Sequence, residues 1–142
     1  ELLQLLATTG ADYCKAFRLL STLPSAVSEL TPSFYQPCPD ELAARWQGWL
    51  GHWRSSLEAQ GNLSETSAAM QQVNPAITWR EWLVAPAYQR AELGDMSLIH
   101  ELQQVFSNPY DDPSDAVLST YGKLRPRELF NAGGISHYSC SS

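Results

Sequence analysis

Basic residues are scarce in this sequence: nine of 142 residues are Lys or Arg against fifteen Asp or Glu, for a formal net charge of −6. A protein that grips a phosphate backbone needs clustered cations, so no nucleic-acid partner is expected. Long apolar runs are also missing. None approaches the roughly 20 residues a membrane-spanning helix requires, and the first residues lack the basic, apolar, small-residue succession of a secretory signal. No membrane partner and no export are expected. Cysteine is sparse: Cys14, Cys38 and Cys140 are 24 and 102 positions apart. They are too far apart for a zinc site and too few for a dense disulfide framework, which fits a reducing compartment with one odd thiol.

Chemical motifs are missing in the same way. There is no GxxxxGK phosphate loop, no GxSxG nucleophile elbow and no kinase-type HRD or DFG sequence. His52, His100 and His137 fall on separate segments without a carboxylate or thiol at ligand spacing, so no metal site is assigned. Asp111, Asp112 and Asp115 begin like a calcium loop but lack its central Gly and closing Glu, and are read as a solvated acidic turn. Asn62-Leu63-Ser64 matches a glycosylation sequon. Without export it is read as a turn and helix cap. The chain therefore receives no catalytic, cofactor-binding or metal-binding residue.

What is present is a helix-forming pattern. With 44% hydrophobic and 17% charged residues, the chain has the balance of one globular domain with a core. Glu1 stands where an initiator Met would be and leads directly into Leu2, Leu3, Leu5 and Leu6. The start is read as an internal point of a longer protein, and these leucines as a face normally covered by it. Leu2, Leu5 and Leu6 share one helical stripe up to Gly10, and Tyr13, Ala16, Phe17 and Leu20 form a second before Pro24. Residues 23–39 carry four prolines and many Ser and Thr, which marks a loop. Asp40 is placed to cap a helix in which Leu42, Trp46, Trp49, Leu50, Trp53 and Leu57 recur at three- and four-residue steps until Gly61. A shorter helix is expected over 65–73, stopped by Asn74-Pro75.

Thr78 and Glu81 have capping-box spacing, and the helix they open would bury Trp79, Trp82, Leu83, Ala87 and Ala91, with Pro86 removing one donor inside it. Asp95 or Ser97 caps a last helix carrying Leu98, Ile99, Leu102, Val105 and Phe106 to Asn108-Pro109. The spacing of the five tryptophans points to core packing and not to ligand stacking. From Tyr110 onward periodicity is lost. The expected fold class is all-α: an irregular multi-helix domain over 1–109 with a long non-helical C-terminal tail over 110–142, either disordered or laid on another surface.

The run Asn74-Pro75, Arg80, Trp82-Leu83, Gly94-Asp95-Met96, Leu102, Asn108-Pro109-Tyr110-Asp111-Asp112 and Ser139-Cys140-Ser141-Ser142 resembles the end of the selenoprotein O family. Tyr13 to Ser21 is similar to an upstream Asp-Tyr, Phe-Arg, Leu-Ser segment of the same family. Two features depart from it: Pro86 falls where the family continues a helix, and 117–137 is longer and richer in glycine. The resemblance implies a kinase-like parent, a protein adenylyltransferase that moves AMP from ATP to protein Ser, Thr or Tyr hydroxyls. Its Mg-ATP site would lie upstream, and this chain would be a regulatory C-terminal region. The implied partners are the chain's own upstream kinase-like domain and the parent's protein substrates. The implied location is cytoplasmic for a bacterial source and mitochondrial for a eukaryotic one. The resemblance also assigns Cys140, antepenultimate in its SCSS ending, as a redox cysteine that pairs with an upstream cysteine. A reading from another class is a non-enzymatic helical module that recruits protein partners.

Overall fold

Helix punctuation in this chain is done by a few side chains and two glycines. The computed structural model describes residues 1–130, which form seven α-helices, three one-turn 3-10 helices and no strand beyond a single isolated bridge. The all-α class is as expected. Contacts divide the chain into two compact units, Glu1–Ala76 and Ile77–Ser142. The boundary between these units falls just after Asn74-Pro75, between Ala76 and Ile77.

In the first unit, α1 (Leu2–Thr9) ends at Gly10, whose φ of 64° is open to glycine at little cost. Gly10 N–H bonds to Ala7 O and Ala11 N–H to Leu6 O, the paired reverse bonds of a Schellman cap. Ala11 then bridges Phe34. Asp12, 7% exposed, caps α2 (Tyr13–Leu20) by accepting the Lys15 N–H at 2.9 Å. The loop after α2 contains two 3-10 turns, Val27–Glu29 and Thr31–Ser33. Its bend is set by the Glu29 carboxylate, which accepts the Ser25 and Ala26 N–H groups at 2.8 and 2.9 Å.

Helix α3 (Asp40–Gln60) begins one residue earlier than its expected cap implies. Pro39 occupies the cap position and Asp40 is the first helical residue, with no side-chain capping bond. Asp40 and Glu41 instead sit in the first turn, where a negative charge favours the helix dipole. Its Leu42, Trp46 and Leu50 stripe meets Leu5, Leu6, Ala16, Leu20, Leu30 and Phe34 in one core. Trp46 is at its centre, fully buried, with its indole N–H donating to Thr9 Oγ1 at 2.8 Å and Trp49 edge-on at 5.9 Å. Helix α4 (Leu63–Gln71) starts two residues before the expected position because Asn62 caps it, accepting the Ser64 N–H at 2.9 Å.

The leucine face expected to be open is mostly closed. Leu5 and Leu6 are fully buried and only Leu3 is well exposed, at 63%, because α1 packs against α3.

In the second unit, α5 (Glu81–Glu92) packs on α6 (Ser97–Phe106), and α7 (Asp115–Tyr121) follows. The Thr78–Glu81 capping box does not form. Arg80 is the cap residue, without a capping side chain, and the Glu81 Oε1 is buried without a hydrogen bond. Helix α5 therefore starts too late for Thr78 to reach its free N–H groups. Pro86 lies inside α5 with its ring exposed. Trp79 is outside the helix and 61% exposed, contrary to the expected burial. Helix α7 and a 3-10 turn at Arg127–Leu129 also lie within the segment expected to be non-helical. Ser114 caps α7 by accepting the Val117 N–H, a local signal that apolar periodicity alone does not reveal.

Candidate functional site

The residues that carry the family resemblance are used as joints between helices. On α2, the Arg18 guanidinium donates through Nη1 to two backbone carbonyls at the far end of α4, Gln71 O at 3.1 Å and Asn74 O at 3.0 Å. One turn on, the fully buried Ser21 hydroxyl donates to Phe17 O at 2.9 Å and accepts from Asn74 Nδ2 at 3.0 Å. Ser67 Oγ on α4 donates to Ser21 O at 2.6 Å. Segments more than fifty positions apart are thus fixed by bonds that satisfy carbonyls left over at a helix end. Sequence reasoning noted Arg18 and Ser21 only as part of a resembling run and Asn74 also as a helix stop; their mutual contact had no periodic signal.

The Gly94-Asp95-Met96 run is the turn of the α5–α6 pair. Gly94, at φ 89°, bonds through its N–H to Ala91 O, and the Asp95 N–H bonds to Arg90 O, closing α5. Asp95 Oδ1 then accepts the Ser97 N–H at 3.0 Å and opens α6. Hydrogen bonds from the Ser97 side chain and backbone hold the Asp95 carboxyl below its usual range. Neither of the two capping residues weighed from the sequence occupies the cap position, which is Met96 with no capping side chain; Asp95, one residue before it, holds the Ser97 N–H from outside the helix.

At the other end of α6, the Trp79 ring lies on Phe106 with centroids 4.6 Å apart. The Asp111 N–H closes a turn onto Asn108 O at 3.3 Å. Tyr110, Asp111, Asp112 and Asp115 are all exposed there, in line with a solvated acidic turn. Tyr121 on α7 donates its hydroxyl to Glu101 on α6. Burial, with the Glu101 hydrogen bond and charge adding to it, pushes the Tyr121 phenol up to about 12.

The remaining candidates are separate from one another. His52 and His100 are exposed on α3 and α6. Among the described residues no group of three or more His, Cys, Asp or Glu side chains is placed to hold a metal ion, and no helix is long and apolar enough to cross a membrane. Cys14 is exposed; Cys38 is half-buried, and burial with the nearby Asp40 charge raises its thiol pKa. Cys140 and His137 lie outside the described residues. What the described side chains do chemically is donate and accept at helix ends. That chemistry fixes the chain path.

No model of a protein family matches the chain. The chain is similar to the protein nucleotidyltransferase YdiU of Salmonella newport and to that of Salmonella dublin, each 36% identical over 145 aligned residues. Each alignment takes in 100% of this chain and 27% of the relative, so the chain spans about a quarter of the length of the curated relatives it matches. With identity at this level from end to end, and with the resembling runs Tyr13–Ser21, Asn74-Pro75 and Gly94-Asp95 forming the joints of the fold, the chain belongs to the selenoprotein O family.

Proposed function

We propose that this chain is the C-terminal helical, regulatory part of a protein adenylyltransferase. The observation that carries the reading is its end-to-end similarity to proteins named protein nucleotidyltransferase, of whose length it spans 27%. In the parent's reaction a Ser, Thr or Tyr hydroxyl oxygen attacks the α-phosphorus of ATP. The bond to the bridging oxygen breaks, pyrophosphate leaves, and the hydroxyl gives up its proton. Such a transfer needs magnesium and positioned charge around the phosphates. In this reading Mg-ATP is held by the parent's upstream kinase-like part, as the family resemblance implies. The family resemblance implies a cytoplasmic setting in a bacterium and a mitochondrial one in a eukaryote.

Regulation rests with Cys140. In this reading its thiol and an upstream cysteine thiol together lose two electrons and two protons to a peroxide-class oxidant and form one S–S bond. The closed loop ties the end of the chain across the kinase-like part and lowers transfer. The test uses the full-length parent with labelled ATP and a mixture of cellular proteins. AMP transfer is expected under reducing conditions, with several-fold loss after oxidation. Cys140→Ser keeps the reduced activity and removes the oxidant response. Absence of any AMP transfer sinks the enzymatic reading; an unchanged oxidant response in Cys140→Ser sinks the latch alone.

A further inference from the structure

Helix α7 is fastened to its own unit through one side chain. Of the residues Asp115–Tyr121, Tyr121 alone is buried; Val117 is half-buried and the other five face solvent, Leu118 with 40% of its surface. Most of the hydrogen bonds of α7 side chains stay inside the helix. Ser119 and Thr120 donate back to Ala116 O at 2.8 and 3.0 Å, and the Ser114 cap is long, 3.4 Å from the Val117 N–H. Among the described residues, the Tyr121 hydroxyl is the α7 group that reaches another helix, donating to Glu101 on α6. Its phenol, pushed up to about 12, keeps that donor proton throughout the neutral range. The neighbouring pair is built differently. Helices α5 and α6 pack on each other and bury Leu83, Ala85, Ala87, Leu102 and Phe106.

We infer that α7 is a strap that opens independently of the α5–α6 pair, with the Tyr121–Glu101 bond as its fastening. A helix shorter than about 12 residues is marginal in water by itself, so α7 persists through what it is fastened to. Segments with few buried apolar side chains and solvent-facing backbone bonds open locally at a free energy well below that of packed helices. The bond that opposes opening is made to a carboxylate, which places it in the stronger class of hydrogen bonds. The exit from the helix is tight as well: a Cβ on Gly122 would lie 2.9 Å from Leu118 O, so the turn that carries Tyr121 closes as it does with glycine next to it. Opening lengthens the chain that joins α6 to every residue beyond α7, Cys140 among them. A bond inside this unit thereby governs how far the end of the polypeptide reaches. The inference stands apart from the transferase and redox readings, since it rests on contacts within the unit.

Hydrogen exchange with mass spectrometry on the full-length parent tests this. Amides of 115–121 are expected to exchange about a hundred-fold faster than those of α5 and α6 in the unaltered protein. Tyr121→Phe keeps the buried ring and removes the bond, and should speed exchange across 115–121 about ten-fold while 81–106 is unchanged. Glu101→Gln retains an amide oxygen that accepts the hydroxyl, so its exchange should stay within about three-fold of wild type. Gly122→Ala is an independent lever: it crowds the last turn without touching the bond and should also speed 115–121. Exchange of α7 as slow as that of α5 and α6 overturns the inference, as does Tyr121→Phe with no acceleration. A rise shared equally by 81–106 overturns it too, because Tyr121 would then support the whole unit and not a separate strap.

Discussion

Individual residues show where one energy term outweighs another. Leu23 has φ 56°, a left-handed conformation that costs a side-chain-bearing residue about 1 to 2 kcal/mol. Its side chain is 9% exposed, so burial contributes about 1.5 to 3 kcal/mol, and Arg54 Nη1 donates to its carbonyl. Burial outweighs the strain, and leucine is tolerated where glycine would be easier on the backbone. Arg18 presents the opposite kind of case, in which polar bonds dominate over packing. Its guanidinium serves two carbonyls at the end of α4, and bonds from a charged donor are each worth about 1.5 to 3 kcal/mol. Arg18→Ala is expected to lower unfolding free energy by roughly 2 to 3 kcal/mol, with Arg18→Lys recovering part of it because one ammonium reaches fewer acceptors. Urea titration followed by circular dichroism checks the order wild type, Lys, Ala; equal stability of Arg18→Ala and wild type would remove the clamp from the account.

Helix α3 is the element on which the first unit is assembled, and it is not built from the best helix formers. Gly48 and Gly51 lie in its interior on the solvent side, and a Cβ added at either meets no atom within 4 Å. Each glycine costs about 0.8 to 1 kcal/mol relative to alanine. Gly48→Ala and Gly51→Ala should each stabilise the protein by about that amount and together by nearly the sum, raising the thermal midpoint. A drop in the midpoint of either variant would mean that the bare backbone is in use. Why this helix tolerates them is visible from its other face. Trp46 is fully buried between Phe34 at 6.0 Å and Trp49 at 5.9 Å, and Trp53 stacks on Trp49 at 5.3 Å. Tertiary burial of this stripe supplies more than helix propensity withholds. The same argument covers α5, where packing against α6 accommodates Pro86 despite the lost donor.

At the scale of the whole molecule, titrating groups with shifted pKa values set how stability varies with pH. Glu29 is held below its ordinary 4.5 mainly by the Ala26 and Ser25 backbone N–H groups. Its contribution is present above that value and is lost as pH falls through the lower folded value. Tyr121 works at the other limit. Its phenol is raised from 10 to about 12, so between those values the unfolded chain has released a proton that the folded chain keeps. Stability therefore falls as pH rises from about 10 to 12, by of order 1 to 2 kcal/mol from this group. Chemical denaturation across pH 3 to 12 should give a plateau with both limbs, and Tyr121→Phe should flatten the alkaline one. An alkaline limb identical in Tyr121→Phe would assign that loss to other groups, of which Cys38, also raised by burial, is the first to consider.

What the sequence determined by itself follows from local pattern. Three- and four-residue apolar spacing located α1, α2, α3 and α6, because a stripe of that period has to face a core. Gly10 and Asp95 could be read as punctuation because their bonds reach only a few positions along the chain. The acidic turn and the family were likewise legible in short runs. Tertiary structure alone decided the rest. The Trp79 side chain is exposed on Phe106, far off in sequence, because α5 begins only after it. Leu5 and Leu6 are covered because α3 lies on α1. Arg18, Ser21 and Asn74 meet across more than fifty positions. Hydrogen bonds and burial at that separation follow from how the helices are placed, and no periodicity within one segment encodes which distant carbonyl or ring a side chain will reach.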